Sequence, residues 1–502
     1  MKRVGAGEAD LLTRRLAGVH DPVALFAALE AEGRAQMLFR RTGGRALILC
    51  DSAVTLEATG AEACFAATSE AGRLLLPVLA ERLAEYVVEQ GDARLALRFE
   101  RSDDPDEARR GQATSALDAL RALARGAQSR DPEEPFALAA LGIIGFDHVD
   151  MMEALPARPQ GDFPDLYFQL AETLILIEEN GAARVLALAV GSDDEAAAHR
   201  QQSLAAERLA RTVARIEQAR VPSLGEAPSQ EARSDMDDAE FGASVLKLKE
   251  HIAAGDIFQA VPSRSFTTGC DDALSAFRRL VKADPSAYHF YLRTPYGTLL
   301  GASPETAVEV SGRRVAVSPI AGTRPRGDSA DADDRQEADL RLDQKEVAEH
   351  LMLVDLARND VARVAAPGTR RVTSLLRVER FAKVMHLVST VEGELPEGRD
   401  AVDAIRTCMN VGTLSGAPKL KAIELIRSVE TKARGPYGGA VGYLTGRGEM
   451  DSAVVIRSAL VRDGMAEVRS GAGVVADSCP KAEAAETRAK ASAVLAALGA
   501  AA

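Results

Sequence analysis

Apolar and polar positions divide the chain into two textures. Up to about residue 200, short apolar runs broken by polar turns predict strands mixed with helices. The run Ala46-Leu47-Ile48-Leu49-Cys50 predicts a buried strand that stops at the polar pair Asp51-Ser52. Residues 170–178 and 183–190 read as two further strands around Asn180-Gly181. That dipeptide favours the left-handed backbone of a tight hairpin turn. A charged, Ala-rich stretch over 194–219 has the composition of a helix, and a Pro-, Ser- and Glu-rich stretch over 221–237 reads as a linker.

From about 238 onward, strand–turn–strand units recur. Strands are predicted over 297–302, 307–310 and 315–319, with a turn at Gly312-Arg313. Strands over 452–461 and 465–470 flank Asp463-Gly464, a second hairpin signal. Helices are predicted over 241–254, 344–357 and 418–428, and from Pro480 to the end. Strands in runs joined by hairpins, rather than strict strand–helix alternation, predict an α+β fold. The organisation is then an N-terminal part over 1–220, the linker-like 221–237 and a C-terminal part over 238–502.

Composition narrows the class. The chain has 502 residues, 46% hydrophobic and 27% charged, enough to build a large core. A formal net charge of −13 argues against non-specific nucleic-acid binding, which needs a basic face, but leaves room for a local anion pocket. No uninterrupted apolar run is long enough to cross a membrane, and residues 1–8 lack the apolar core of a secretory signal. The 5 cysteines are scattered without a Cys-x-x-Cys pair, which fits a reducing cytoplasm and offers no zinc signature.

Two helical segments carry paired carboxylates. Glu346 and Glu349 are three residues apart, as are Glu483 and Glu486, so each pair shares one helical face. A solvated surface is the ordinary fate of either pair alone. Facing each other across a cleft, they would offer hard oxygen donors suited to Mg²⁺ carrying an anionic substrate. Nearby lie segments rich in Gly, Thr and Arg. Residues 319–327 (Pro319-Ile320-Ala321-Gly322-Thr323-Arg324-Pro325-Arg326-Gly327) read as a loop whose N–H groups, hydroxyl and arginines could cradle a carboxylate or phosphate. Residues 409–419 are too rich in small residues for a core element, and 435–443 form a further Gly-rich cluster. Gly471-x-Gly473 lacks the third glycine and the βαβ context of a dinucleotide site. His386 sits in an apolar, strand-like run, where it is either a satisfied core residue or a proton carrier.

In order along the chain, these segments resemble the chorismate-utilising enzymes, and among them the large subunits of anthranilate synthases. The matching stretches are 255–264 (Gly-Asp-Ile-Phe-Gln-Ala-Val-Pro-Ser-Arg), 301–305 (Gly-Ala-Ser-Pro-Glu), 319–327, 349–360, 384–389, 412–419 and 471–478. The resemblance is specific over about 240–495 and looser before that. It implies one large α+β body, two antiparallel sheets packed face to face with helices outside, so that 221–237 joins parts of a single unit.

The resemblance also implies roles. Water-using members of the family carry a lysine base where this chain has Gln259, and members with a covalent lysine carry it where this chain has Ala321. Together these two residues imply amination of chorismate at C2 by ammonia, then pyruvate elimination to give anthranilate for tryptophan biosynthesis. Glu349 and Glu486 resemble direct Mg²⁺ ligands, with Glu346 and Glu483 beside them. Glu305 resembles the general acid for the departing C4 hydroxyl, which requires a raised pKa. Tyr437 and Arg457 resemble the pair that grips a substrate carboxylate. Thr323, Thr413 and Gly473 complete substrate placement, Lys490 adds charge at the rim, and His386 matches a histidine linked to elimination.

No amidotransferase signature is read in the sequence, so a separate glutamine amidotransferase subunit is expected to supply ammonia in a hetero-oligomer. A tryptophan feedback site is expected from Asp51, Ser52, Pro285, Ala287, His289, Val441 and Tyr443. There Asp284, Ala287 and His289 depart from the family's Asn-Pro-Ser-Pro-Tyr-Met motif. Two other readings stay open. One is an enzyme that releases 2-amino-2-deoxyisochorismate, which the residues do not exclude. The other is a non-catalytic regulatory homologue, which would lack a metal glutamate or Arg457, and this chain lacks neither.

Overall fold

Two long strands, Ala46–Thr59 and Leu166–Ile177, run antiparallel along their whole length and hold the molecule together. The computed structural model describes residues 4–381 and 384–501. Every position of Leu166–Ile177 is buried, because one face meets an inter-sheet core and the other meets helices. That double burial explains its near-continuous apolar run.

The two strands belong to two arms of one 23-stranded hydrogen-bonded network. The beginning of Ala46–Thr59 pairs with Met37–Arg41, which passes to Tyr288–Thr294, Gly297–Ser303, Ser458–Arg462, Met465–Gly471 and Ser263–Gly269. The beginning of Leu166–Ile177 pairs with Ala139–Ile144, which passes to Ala440–Thr445, Met450–Val454, Thr306–Ser311, Arg314–Val317 and Val384–Glu394. The arms face each other across a core that joins Phe39, Leu49, Phe290 and Leu299 to Leu141, Ile143, Val441 and Val455. Each such side chain contributes about 1.5–3 kcal/mol by leaving water.

Helices cover the outer faces. Pro22–Glu30, Ala273–Ala283 and Pro480–Leu498 pack on the first arm, and Glu70–Arg82, Leu117–Arg125, Gln344–Val364 and Ala401–Cys408 on the second. The α+β expectation, with two packed antiparallel arms and helices outside, matches this architecture.

Three local expectations change. The strand from Ala46 does not stop at Asp51-Ser52 but continues to Thr59, with irregular register between Leu49 and Val54. Polar residues are tolerated there because they face a cavity. The linker-like stretch carries two short strands, Gln230–Glu231 beside Ala500–Ala501 and Arg233–Ser234 beside Ser263–Gly269. Asp237 then caps the helix Asp238–Ala254 through a capping box with Glu240. Finally, 452–461 is not one strand: Met450–Val454 and Ser458–Arg462 are separated by Arg457, whose φ is +46°.

Candidate active site

Glu305 lies between the strands Gly297–Ser303 and Thr306–Ser311, in a turn tightened by its N–H donating to Ser303 Oγ at 3.2 Å. Its carbonyl accepts from Val454 N at 3.0 Å, which locks the backbone to the neighbouring strand. The carboxyl is buried and accepts from Thr413 Oγ1 at 2.7 Å. Burial pushes its pKa from 4.5 up to about 7, against the downward pull of Thr413, Lys490 and Arg457. It therefore holds a proton near neutrality.

His386 projects from Val384–Glu394, and Thr323 from Ile320–Pro325, which pairs with it. The segment read as a loop over 319–327 is thus largely a strand. The His386 Nδ1 lies 2.9 Å from Gly322 O and 3.1 Å from Thr323 Oγ1. A carbonyl only accepts, so Nδ1 carries the hydrogen and Nε2 the lone pair. That Nε2 is buried without a partner. Burial, aided by Arg457, lowers the His386 pKa to about 4, so the ring is neutral at physiological pH. Arg324 and Arg326 do not form an anion cradle. Arg324 binds Asp339 at 2.6 Å and Asp343 at 2.7 Å, and Arg326 binds Asp333.

Gln259 pairs with Ala417 in a two-residue ladder that ties residues 259–260 to 416–417. Its side chain is buried, and its Oε1 has no partner. Gly473 sits against it: a Cβ there would come 2.9 Å from Gln259 Nε2. Backbone bonds of 2.9 Å between Gly438 and Val455, and between Val455 and Gly439, tie the segment that follows Tyr437 to the one that precedes Arg457. The guanidinium of Arg434 lies 5.7 Å from the centre of the Tyr437 ring and is held by Glu430, a buried carboxylate that binds Arg434 at 2.6 Å, Arg469 at 2.9 Å and Ser263 Oγ at 2.7 Å. Despite the cost of burial, these two guanidiniums keep Glu430 ionised, with its pKa lowered. Arg457 adopts a left-handed backbone that costs a non-glycine residue about 1 kcal/mol, and its guanidinium reaches Asp284 at 3.4 Å.

The helices Gln344–Val364 and Pro480–Leu498 bring the glutamate pairs together. Burial raises the pKa of Glu349, and Glu346, Glu483 and Glu486 raise it further. Burial and Glu486 raise that of Glu483. Lysines and an arginine partly compensate: Lys490 lies 2.7 Å from Glu486, Lys345 3.7 Å from Glu349 and Arg324 3.4 Å from Glu346. Among the described residues no three such side chains close into a finished metal cage. The donor set, hard oxygens with mutual repulsion to relieve, nonetheless suits a divalent cation. Lys490 joins this acidic floor to the rest of the site, since its charge also acts on Glu305 and its Nζ donates to Gly471 O at 3.1 Å.

The residues expected to bind tryptophan do not all meet. Tyr288 lies opposite Arg41, His289 opposite Arg40, and Ala287 O accepts from Thr42 N at 2.7 Å. Asp51 and Ser52 lie beyond Leu49, which pairs with Met37 at the other end of that strand. The strand register therefore puts Arg40 and Arg41, not Asp51 and Ser52, beside Pro285, Ala287 and His289. Val441 and Tyr443 belong to the inter-sheet core, with the Tyr443 ring 5.9 Å from Phe39. Arg41 is already engaged, at 2.8 Å from Glu309 and 3.3 Å from Asp451. Sequence reading missed Arg40, Arg41 and the Asp284–Arg457 contact; following the strand back from Ala46 through its hairpin would have found the first two.

Comparisons place this geometry. The model of the chorismate binding enzyme family matches residues 77–496. Anthranilate synthase component 1 of Vibrio cholerae is 42% identical over 511 aligned positions, covering 97% of this chain and 96% of its own. A pyocyanine-specific anthranilate synthase component 1 of Pseudomonas aeruginosa is 47% identical, over 69% of this chain and 66% of its own. The crystal structure of anthranilate synthase component I from Streptococcus pneumoniae superposes with a TM-score of 0.71 at 27% identity, covering 91% of this chain and 92% of that one. A menaquinone-specific isochorismate synthase from Escherichia coli shares the fold at a TM-score of 0.70 and 16% identity, covering 99% and 96%. With its strands, its buried Glu305 and a family match spanning most of its length, the chain belongs to the chorismate-binding enzymes.

Proposed function

We propose that this chain is the chorismate-aminating subunit of an anthranilate synthase, converting chorismate and ammonia to anthranilate and pyruvate for tryptophan biosynthesis in the cytoplasm. The observation that carries the reading is Glu305, a buried carboxyl that keeps its proton near neutral pH beside Thr413. The names of its relatives support the same reading. No helix among the described residues is long and apolar enough to cross a membrane.

Ammonia attacks C2, the ring double bonds shift, and the C4–O bond breaks as Glu305 delivers its proton and water leaves. Gln259 offers ammonia an acceptor, its bare Oε1, and needs to remove no proton from so good a nucleophile. Ala321 gives no side chain for a covalent bond to the ring. After the added nitrogen has lost its extra proton, loss of the C2 proton and cleavage of the C3–O bond aromatise the ring, and the departing enolpyruvyl group takes up a proton at its methylene carbon to leave as pyruvate. His386, neutral with its buried Nε2 lone pair unpartnered, is suited to accept a hydrogen bond during this step. Arg457 and Tyr437 hold the enolpyruvyl carboxylate, with Thr323, Gly473 and Lys490 around the remaining polar groups.

Glu349 and Glu486, with Glu346 and Glu483 beside them, would hold Mg²⁺, which supplies positive charge to the ring carboxylate. Ammonia would come from a separate glutamine amidotransferase subunit in a hetero-oligomer. Tryptophan feedback is proposed at Pro285, Ala287, His289, Val441 and Tyr443, with Arg40 and Arg41 replacing Asp51 and Ser52. The engagement of Arg41 by Glu309 and Asp451 predicts weak inhibition.

The test is product identification. The purified chain is incubated with chorismate, Mg²⁺ and excess ammonium at alkaline pH and read by anthranilate fluorescence and mass spectrometry. Anthranilate with pyruvate supports the proposal. An accumulating amino intermediate without pyruvate would reassign the chain to the branch that stops before elimination.

A further inference from the structure

A cavity of about 490 Å³ lies away from Glu305 and the glutamate quartet, between the long strands and the helix Glu195–Gln218. None of the candidate catalytic, substrate-binding or metal residues lines it. Its volume falls in the range of small-molecule sites and exceeds what one or two waters fill.

Its walls carry unmet hydrogen-bonding capacity. Gln201 is fully buried, and neither atom of its amide has a partner. Gln169 is 1% exposed and its Nε2 is unpartnered, as is the Nε of Arg208. Leaving such groups unpaired costs about 1–3 kcal/mol each, so the fold holds several donors and acceptors whose partner is missing from the chain itself. The two amides face the same space from different elements, Gln169 from a sheet strand and Gln201 from a helix.

Charge defines the missing partner. Three of the charged wall residues are already paired: Arg208 with Glu172 at 3.0 Å within the lining, and Glu70 at 2.8 Å with Arg200, which lies outside it. Outside those pairs the lining still holds two acids, Asp51 and Glu207, and one base, Arg211. The N-terminus of the helix Glu70–Arg82 also opens on the cavity through Ser69, Glu70 and Ala71, presenting first-turn N–H groups and the positive end of the helix dipole. One region thus suits a carboxylate and another an ammonium, with two amides between them. Among the lining residues only Tyr167 and Leu204 offer a large apolar surface, too little to enclose an indole.

We propose that this cavity is a binding site for a small zwitterion, an α-amino acid with a polar side chain. The carboxylate lies toward Arg211 and the helix N-terminus, the ammonium toward Asp51 and Glu207, and the side chain between Gln169 and Gln201. The site is separate from the proposed tryptophan residues Pro285, Ala287 and His289, and it does not depend on the reaction assigned above.

The test is isothermal titration calorimetry on the full-length chain with L-glutamine, L-asparagine and L-serine at millimolar concentration, and L-tryptophan as the comparison. At least one polar amino acid binds, and tryptophan gives no heat at this site. Gln201→Leu, which keeps the volume and deletes the amide, weakens that binding about tenfold or more. Arg211→Ala changes an exposed side chain that the fold does not need, and weakens it as well. Both variants retain ammonia-dependent turnover. No heat from any of the three polar amino acids would overturn the proposal and leave a water-filled cavity. Heat that neither variant diminishes, or binding of tryptophan alone that Gln201→Leu removes, would overturn it equally.

Discussion

Replacing Glu305 by Gln should make the protein more stable and less active, with the stability gain depending on pH. The folded carboxyl keeps its proton up to about pH 7, whereas the unfolded one releases it near 4.5. The folded state therefore binds more protons over that window, and stability falls as pH climbs through it. At about 1.4 kcal/mol per pH unit, ionising Glu305 costs the wild-type fold about 3 kcal/mol at pH 8. At pH 5 the same comparison leaves only about 1 kcal/mol, because the unfolded carboxyl is then only partly ionised.

Glutamine has nearly the same shape as the protonated acid, and its amide oxygen can still accept from Thr413. Glu305→Gln should consequently exceed the wild type by about 3 kcal/mol at pH 8 and about 1 kcal/mol at pH 5. Urea unfolding of both proteins at the two pH values reads the difference, in which all other titrating groups cancel. Anthranilate production should fall by about 10²-fold or more, as for loss of a general acid. A variant less stable than the wild type at pH 8, or a gap that does not change with pH, would refute the assignment of a buried, reluctantly ionised acid.

Glu430→Ala strands the guanidiniums of Arg434 and Arg469 in the interior and should cost about 3–5 kcal/mol, measured by denaturant unfolding. A loss below about 1 kcal/mol would mean that water rescues them. Gly473→Ala places a methyl group 2.9 Å from Gln259 Nε2 and should lower the turnover of ammonia more than it weakens chorismate binding, which steady-state kinetics with each substrate varied would separate. Glu349→Gln removes charge from the acidic quartet and should weaken Mg²⁺ binding, read by titrating chelated protein with the metal. Unchanged metal affinity would move the cation elsewhere.

Much of the site was legible because its chemistry sits in short local segments. Ser303-Pro304-Glu305 was recognisable only through its resemblance to the family, whereas the helices carrying Glu346 and Glu349, and Glu483 and Glu486, were recognisable from the three-residue spacing of their glutamates. The hairpin at Asn180-Gly181 was read for the same reason, and Gly181 adopts φ +79°. What failed depended on distant partners. A strand over 320–325 needs the neighbouring Val384–Glu394 to exist, and its arginines needed the acids of two following helices to be recognised as structural. The break at Arg457 is a backbone strain held by tertiary contacts, invisible in an apolar run. Asp51 was expected beside Pro285 from the family resemblance, whereas position in the sheet is set by register, which a sequence does not state.

The shared long strands have a consequence for how the chain is made. Phe39 pairs with Phe290, and Gly142 with Gly442, so both flanks of the N-terminal strands wait for partners synthesised much later. Until then the nascent chain carries two open, largely apolar sheet edges, the kind that recruit other chains. A polypeptide cut at 221–237 would yield not two domains but two aggregation-prone halves, each displaying the edge that the other was built to cover.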